Sequence, residues 1–510
     1  MKQLYECVFP RRRIKAFVSA FLALMVMLVL TGSMWAATFN VGCDANALIT
    51  AINAANANGE ADVINLTPGC TYTLMVMNND IHCLNGLPSI ISPIAINGNG
   101  ATIARSPAAT EFRIFHVDDS GTLTLRDLTI TGGVQSCSVS LFNAGGAVVN
   151  FGTLRLEGCT VSDNSAGSGG GIANAEDATL INCIIRGNTA GNGGGIDNLG
   201  TLQLTNSTVS DNDAFDGGGI SNDGTATLVN STISGNSGPL WGGGFVNWGT
   251  ATLTRCILEN NTSEFGGGIN NGEHLTLFNS TISDNTAGDQ GGGIYNYGEM
   301  ALNNVTIAGN TAGSDGGGIY CDPSNTVNVK NTLIADNSAT TGTGPDCFGN
   351  LESYGYNLIE DTSDCTIGGD PTGNLVGLDP KLDPLQDNGG PTLTHALLSD
   401  SPAIDAGSCT DISGNLISAD QRGYPRPAPL GGNCDIGAYE TEQAYARGDV
   451  NGDGVIDLLD VRLCTQIAQG YITGTADQRA AADVDSDGDV DTDDVTILSE
   501  YVLGIRTTLP

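Results

Sequence analysis

Near the carboxyl end, aspartates recur at the spacing of a twelve-position oxygen-ligand loop. Counting from Asp449, positions 1, 3, 5, 7, 9 and 12 are Asp449, Asn451, Asp453, Val455, Asp457 and Asp460, with Gly454 at position 6. Counting from Asp483, they are Asp483, Asp485, Asp487, Asp489, Asp491 and Asp494, with Gly488 at position 6. Oxygens at these positions, including the backbone carbonyl at position 7, suit a hard cation such as calcium, and the sharp turn at position 6 calls for glycine. The loops start 34 residues apart, and glycine falls at the same place in both. With no cation, the clustered carboxylates repel and the segment should unfold. With one calcium ion per loop, binding energy becomes folding energy.

Each loop runs into an apolar stretch at helical spacing, "VRLCTQIAQ" and "VTILSEYVL". A paired EF-hand would also have a long entering helix and usually Glu at position 12; here the leads are short and position 12 is Asp. Loop plus exiting helix, duplicated within residues 445–510, resembles a type I dockerin. The resemblance implies two calcium ions and a cohesin domain, on a scaffold or cell surface, as partner. It also implies that loop positions 10 and 11 contribute to partner choice. These are Leu458 and Leu459 in one loop and Thr492 and Asp493 in the other, a difference that counts against a symmetric two-way binding mode. An intramolecular role, with the segment folded back as a cap, is the alternative.

Other candidates for chemistry are sparse. "HVDDS", His116 to Ser120, sits near Arg105 and Arg113, and paired carboxylates could serve as acid and base. A solvated turn at Asp118-Asp119 is the plainer reading. His82, His274 and His395 stand alone in the sequence and read as surface residues. Asp216, Trp241, Phe265, Asp289 and Asp315, close before glycine runs, could line one edge as a sugar-binding row or as solvated bends. The catalytic residues of an enzyme cannot be assigned from these.

The element that must carry such residues is a repeat. "GGGI" or a close variant recurs with its fourth residue at Val148, Ile172, Ile196, Ile220, Phe245, Ile269, Ile294 and Ile319, in steps of 24 or 25 residues. A leucine ladder (Leu156, Leu180, Leu204, Leu228) and a β-branched ladder (Val161, Ile185, Val209, Ile233) keep the same period, with apolar and polar residues alternating around them. Two asparagine ladders, from Asn164 and from Asn174, run alongside. Three short strands in 24 residues leave no room for a helix or a four-stranded blade. The expected fold is all-β: a right-handed parallel β-helix solenoid of about 24–25 residues per turn, followed by a small α-helical calcium-binding segment. Asparagines are expected in the bends, where their side chains satisfy backbone groups and tolerate left-handed geometry, and Gly-Gly-Gly where a Cβ would crowd a corner. The sequons at Asn206, Asn230 and Asn279 read as repeat chemistry rather than glycan sites.

Over residues 140–340, pairs such as "GGGIDN" with "STVSDN" resemble the polymorphic outer-membrane protein repeat, with Val, Ile or Leu in place of its aromatic. "ALITAINAANANGEADVINL" (47–66) resembles the segment that precedes such repeats, and reads as an amphipathic helix capping the open end. "LDPKLDPLQDNGGPTLTHALLSDSPAIDAGS" and "CDIGAYE" resemble the choice-of-anchor Q segment of secreted β-helix proteins. The domains expected are thus a signal peptide at 1–37, a β-helix with N-terminal cap at 38–374, the choice-of-anchor Q-like part at 375–440, and the dockerin. β-Helix proteins of this architecture are often polysaccharide lyases or hydrolases. The resemblances therefore imply an exported, polysaccharide-binding protein, with a polysaccharide-degrading enzyme and a surface adhesin as alternatives.

The net charge of −37 leaves nothing to neutralise phosphates, which excludes a nucleic-acid partner. Five of the 19 basic residues precede the apolar run Ala16–Leu30, the pattern of a secretory signal. Uncleaved, the chargeless 16–39 stretch is long enough to anchor the chain in a membrane; either way the body lies outside the cytoplasm. Cysteine usage fits export: Cys347/Cys365 and Cys409/Cys434 could be local disulfides, though spacing leaves connectivity open.

Overall fold

The computed structural model describes residues 36–138, 143–428, 432–441, 447–452, 455–474 and 476–509. The signal segment read at 1–37 lies outside these but for its last two residues. Among the described residues no helix is long and apolar enough to cross a membrane.

A single turn shows how the repeat folds. Ile196–Asn198, Thr201–Thr205, Thr208–Ser210 and Asp213–Asp216 form one circuit, and the next repeats them as Ile220–Asn222, Thr225–Val229, Thr232–Ser234 and Ser237–Trp241. All pairings between the two are parallel, and the sequence ladders meet: Ile196 faces Ile220, Leu204 faces Leu228, Val209 faces Ile233. These side chains point inward and are fully buried, so each turn borrows its core from its neighbours. The turn holds four strands, one more than expected. The fourth buries little besides Ala214, and one small residue is too faint an alternation to read as a strand.

The asparagine ladders are not where the bends turn left-handed. Those conformations belong to the residues just before one ladder, such as Asp163 (φ 56°), Asp211 (54°) and Asp284 (56°), and to the sequon residues Asn206, Asn230 and Asn279. The ladder asparagines themselves point inward and are buried. Asn188 donates from its backbone N and its Nδ2 to Asn212 Oδ1, at 3.0 and 2.9 Å, and Nδ2 also donates to the Val161 carbonyl at 3.0 Å. Once the chain has turned, the next amide must satisfy backbone groups that the corner pulls out of the sheet. The glycine corners behave as expected. A Cβ on Gly194 would lie 2.4 Å from the Gly218 carbonyl oxygen and 2.6 Å from that of Asp213.

At the amino end, α1 (Ala45–Asn56) buries Leu48, Ala51, Ile52 and Ala55 in the solenoid core, and Asp44 caps it by accepting from Asn46 N. The helix stops well short of Leu66, because Asp62–Leu66 is already a strand of the coil. After Leu375–Val376 the chain adds no further turn within the described residues. It runs back along the flank, where Thr281 Oγ1 donates to Gln421 Oε1 (2.7 Å) and Ala438 N to Thr306 Oγ1 (3.0 Å). Cys347–Cys365 and Cys409–Cys434 are bonded, as are Cys43–Cys70 and Cys83–Cys137.

Candidate functional site

The aspartate loops are set by the helices that follow them. α2 (Leu458–Ala468) and α4 (Thr492–Val502), with the short α3 (Ala476–Ala482), enclose a core of Val450, Cys464, Ile467, Ala482, Val484 and Leu498. Two pairs in that core, Val450/Val484 and Cys464/Leu498, are separated by the same 34 positions as the loops, so a duplicated unit builds one core. α3 is a short entering helix ahead of the second loop, where sequence showed only a short lead.

Each long helix begins with a reciprocal cap. Asp457 accepts from Leu459 N (2.7 Å) while Asp460 accepts from Asp457 N (2.8 Å); Asp491 and Asp494 do the same with Asp493 N and Asp491 N. The position-12 aspartates also reach back across their loops: Asn451 N donates to Asp460 (2.9 Å) and Val484 N to Asp494 (2.7 Å). Both are buried, with one carboxylate oxygen bracing the loop and the other the helix. The helix start therefore sets where the last ligand sits.

In the second loop, carboxylate oxygens of Asp483, Asp485 and Asp487 lie within 4.8 Å of one another, and so do those of Asp489, Asp491 and Asp494. Asp489 is pushed above the usual carboxylate range first by Asp487, and Asp485 is also raised, by desolvation and then by its acidic neighbours. Gly488 takes φ 98° with open space around it, which suits the turn at position 6. An all-oxygen donor set whose members repel one another fits a hard divalent cation. In the first loop Asp449 accepts from Gly452 N (2.8 Å) and the Val455 side chain faces solvent; Asp453 and Gly454 lie outside the described residues. Leu458, Leu459, Thr492 and Asp493 are all exposed at the helix starts.

Elsewhere the histidines are less solitary than their sequence positions suggest. His82 Nδ1 lies 3.0 Å from His116 Nε2, beside the ring of Phe151. Arg113, fully buried, donates to the His82 carbonyl at 2.8 Å. Burial lowers Arg113 to about 9 and His116 to about 4, the latter helped by the Arg113 charge. Asp118 and Asp119 sit in a turn closed by Gly121 N on the Asp118 carbonyl. Arg105 is held by the Gly132 carbonyl (2.7 Å). His274 pairs with Glu299 (2.9 Å), and His395 bridges Ser283 Oγ and the Asp383 carbonyl. Apart from the turn at Asp118, these contacts join residues 12 or more positions apart in the chain and leave no mark in a local motif.

Asp216, Trp241 and Phe265 do form a row, in register at the ends of the fourth strands, with the two rings stacked 4.7 Å apart. Asp289 is one position out of it. Gln290 takes the place before the glycines, its carbonyl accepting from Gly266 N, and Asp315 follows one turn on. Sequence reading missed the aromatics one position after the GGGI residue, Tyr295 and Tyr320, although their 25-residue spacing was there to be seen.

The fold and the loops together define a parallel β-helix that ends in a duplicated, aspartate-looped helical segment. Two overlapping matches to the family model "Right handed beta helix region", at residues 113–269 and 202–370, together run over half of the chain, which belongs to that family. Residues 447–503 match the model "Dockerin type I domain". Among solved structures, the crystal structure of the pectate lyase Pel9A is similar over 80% of this chain and 96% of its own, at 15% identity and a TM-score of 0.41. No curated protein matches the chain.

Proposed function

We propose that this chain is an exported β-helical rod whose C-terminal dockerin folds around two calcium ions and docks onto a cohesin domain, so presenting a polysaccharide-binding body to its substrate. The observation that carries this reading is the doubled loop, in which a buried position-12 aspartate ties the ligand cluster to the start of a helix. Asp449, Asn451, Asp453, Asp457 and Asp460 with the Val455 carbonyl, and the second-loop aspartates with the Asp489 carbonyl, would hold the ions. Bound calcium would supply the charge that the carboxylates lack. The exposed pairs Leu458-Leu459 and Thr492-Asp493 stand ready to meet a partner, one apolar and one polar. The test is capture of the full chain on an immobilised cohesin domain, once with calcium and once with chelator. Recovery only with calcium is expected, and equal recovery in both would defeat the reading.

One observation favours a second reading, a glycan-cleaving enzyme. Asp197 is buried in the strand Ile196–Asn198 and raised to about 7, first by burial and then by the charge of Asp223. A carboxyl that keeps its proton near neutrality beside an exposed carboxylate is the pairing of acid and base that glycoside hydrolysis uses. Release of reducing sugar from a panel of polysaccharides, abolished in Asp197→Asn, is the outcome expected of that reading. No release from any of them would remove it.

A further inference from the structure

We propose that the outer face of the strands from Ile196–Asn198 to Ile319–Cys321 binds an uncharged polysaccharide, laid along the axis of the rod. The proposal rests on the glycan-binding reading above and names its site and ligand class.

In each of these three-residue strands the first residue and usually the last face the core, so the middle one faces out. That outward row runs Asp197, Ser221, Val246, Asn270, Tyr295, Tyr320, each in direct register with the next. Aromatic rings flank it on both sides. Trp241 and Phe265 stand at the ends of the fourth strands. Trp248 and Tyr297 follow the inward asparagines on the other side, their ring centroids 5.7 Å apart. A Cβ on Gly272, between them, would lie 2.8 Å from the Trp248 ring and 2.9 Å from the Tyr297 ring. The glycine is what lets the two rings close over that turn. Further along, Tyr295, Tyr320 and Phe348 stack at 5.0 and 5.1 Å with planes within 2° of parallel. Aromatics make up only 5% of this chain, so their gathering on one face is a local specialisation.

The polar groups of this face select among ligands. Asn270 is fully buried in the outward row, and neither its Oδ1 nor its Nδ2 has a partner among the described residues. A buried amide left so is a demand for a donor and an acceptor, which a sugar hydroxyl meets in one group. Tyr295, Tyr297 and Tyr320 are raised by burial, then by neighbouring tyrosines or aspartates, so their hydroxyls stay donors across the biological pH range. Rings that offer flat apolar faces edged by hydroxyls match the apolar faces and hydroxyl rims of sugar rings. Successive turns advance roughly 4.8 Å, comparable to the advance of one sugar unit in an extended chain, so each turn can serve one sugar. Charge excludes the polyanions. Asp216 and Asp223 close one end of the file and Asp315 and Asp322 lie by the other, with no Lys or Arg in these rows to meet a carboxylate chain.

The test is affinity electrophoresis of the full chain in calcium buffer, through gels containing hydroxyethyl cellulose, xylan, glucomannan, polygalacturonate or alginate. Retardation by at least one of the neutral glycans and none by the two polyanions is expected. Trp241→Ala and Tyr320→Ala should each weaken that retardation roughly tenfold or more, as loss of a central aromatic anchor does. Phe215→Ala, which removes an exposed ring outside the file, should leave it unchanged. Melting temperatures of all variants check that they fold. Retardation by polyanions as strong as by neutral glycans overturns the proposal. Unchanged binding in both file variants overturns the site while leaving the glycan reading standing. A wild-type chain that no glycan retards overturns both.

Discussion

At the scale of the residue, position decides what an aspartate does in this protein. Asp494 is at once a loop brace, a helix cap and a ligand candidate, so one substitution should cut all three roles. In Asp494→Ala we expect about 1 kcal/mol of capping to be lost and calcium affinity at the second loop to fall, read by calorimetric titration. Asp197 illustrates the opposite environment. Its carboxyl is raised from 3.8 to about 7, so between about pH 4 and pH 7 the folded chain keeps a proton that the unfolded chain gives up. Stability is therefore fully present below pH 4 and falls as pH rises through 7, by up to about 4 kcal/mol from this one group. Asp346 and Glu440, also raised to about 7 mainly by burial, act in the same direction. Asp197→Asn should flatten part of the decline in unfolding midpoint between pH 4.5 and 7.5; an unaltered pH profile would show that the group titrates normally. The calcium ligand positions were legible in the sequence because loop ligands are close in the chain. Asp197 was not, because its burial depends on what neighbouring turns lay over it.

At the scale of the element, the ladders set the energetics. Asn212 accepts from Asn188 N and Nδ2 and donates to the Ile185 carbonyl and Asn236 Oδ1, all at 2.9–3.0 Å. In Asn212→Ala these buried groups lose their partners at about 1–3 kcal/mol each. The loss should rival that of Leu204→Ala in the adjoining aliphatic ladder, about 2–5 kcal/mol. Urea unfolding of the two variants side by side measures it, and a cost for Asn212→Ala well under 1 kcal/mol would mean that water replaces the amide. The ladders themselves could be read from sequence. Their inward direction could not, since a bend asparagine and a buried one have the same period. The fourth strand escaped for the same kind of reason: its one buried small residue per turn carries too little hydrophobic contrast.

At the scale of the whole molecule, metal dependence should be confined to one end. The dockerin core is a cluster of its own, separate from the solenoid core, and among the described residues its second loop alone gathers three carboxylates closely enough to hold a cation. Chelation of the full chain should therefore remove helical circular dichroism while leaving the strand signal and the main thermal transition in place. Loss of both together would mean that the body also depends on calcium. The sequence by itself determined the coil, its 24–25-residue pitch and the doubled aspartate loops. In a solenoid each residue meets its own counterpart one turn away, so the contacts that build the fold are written as a period along the chain. Only the tertiary structure decided the pairing of His82 with His116 and the return of the last segment onto Thr281 and Thr306. Those contacts join different positions of different turns, 34 or 140 residues apart in two cases, and a contact that occurs once leaves no period to read.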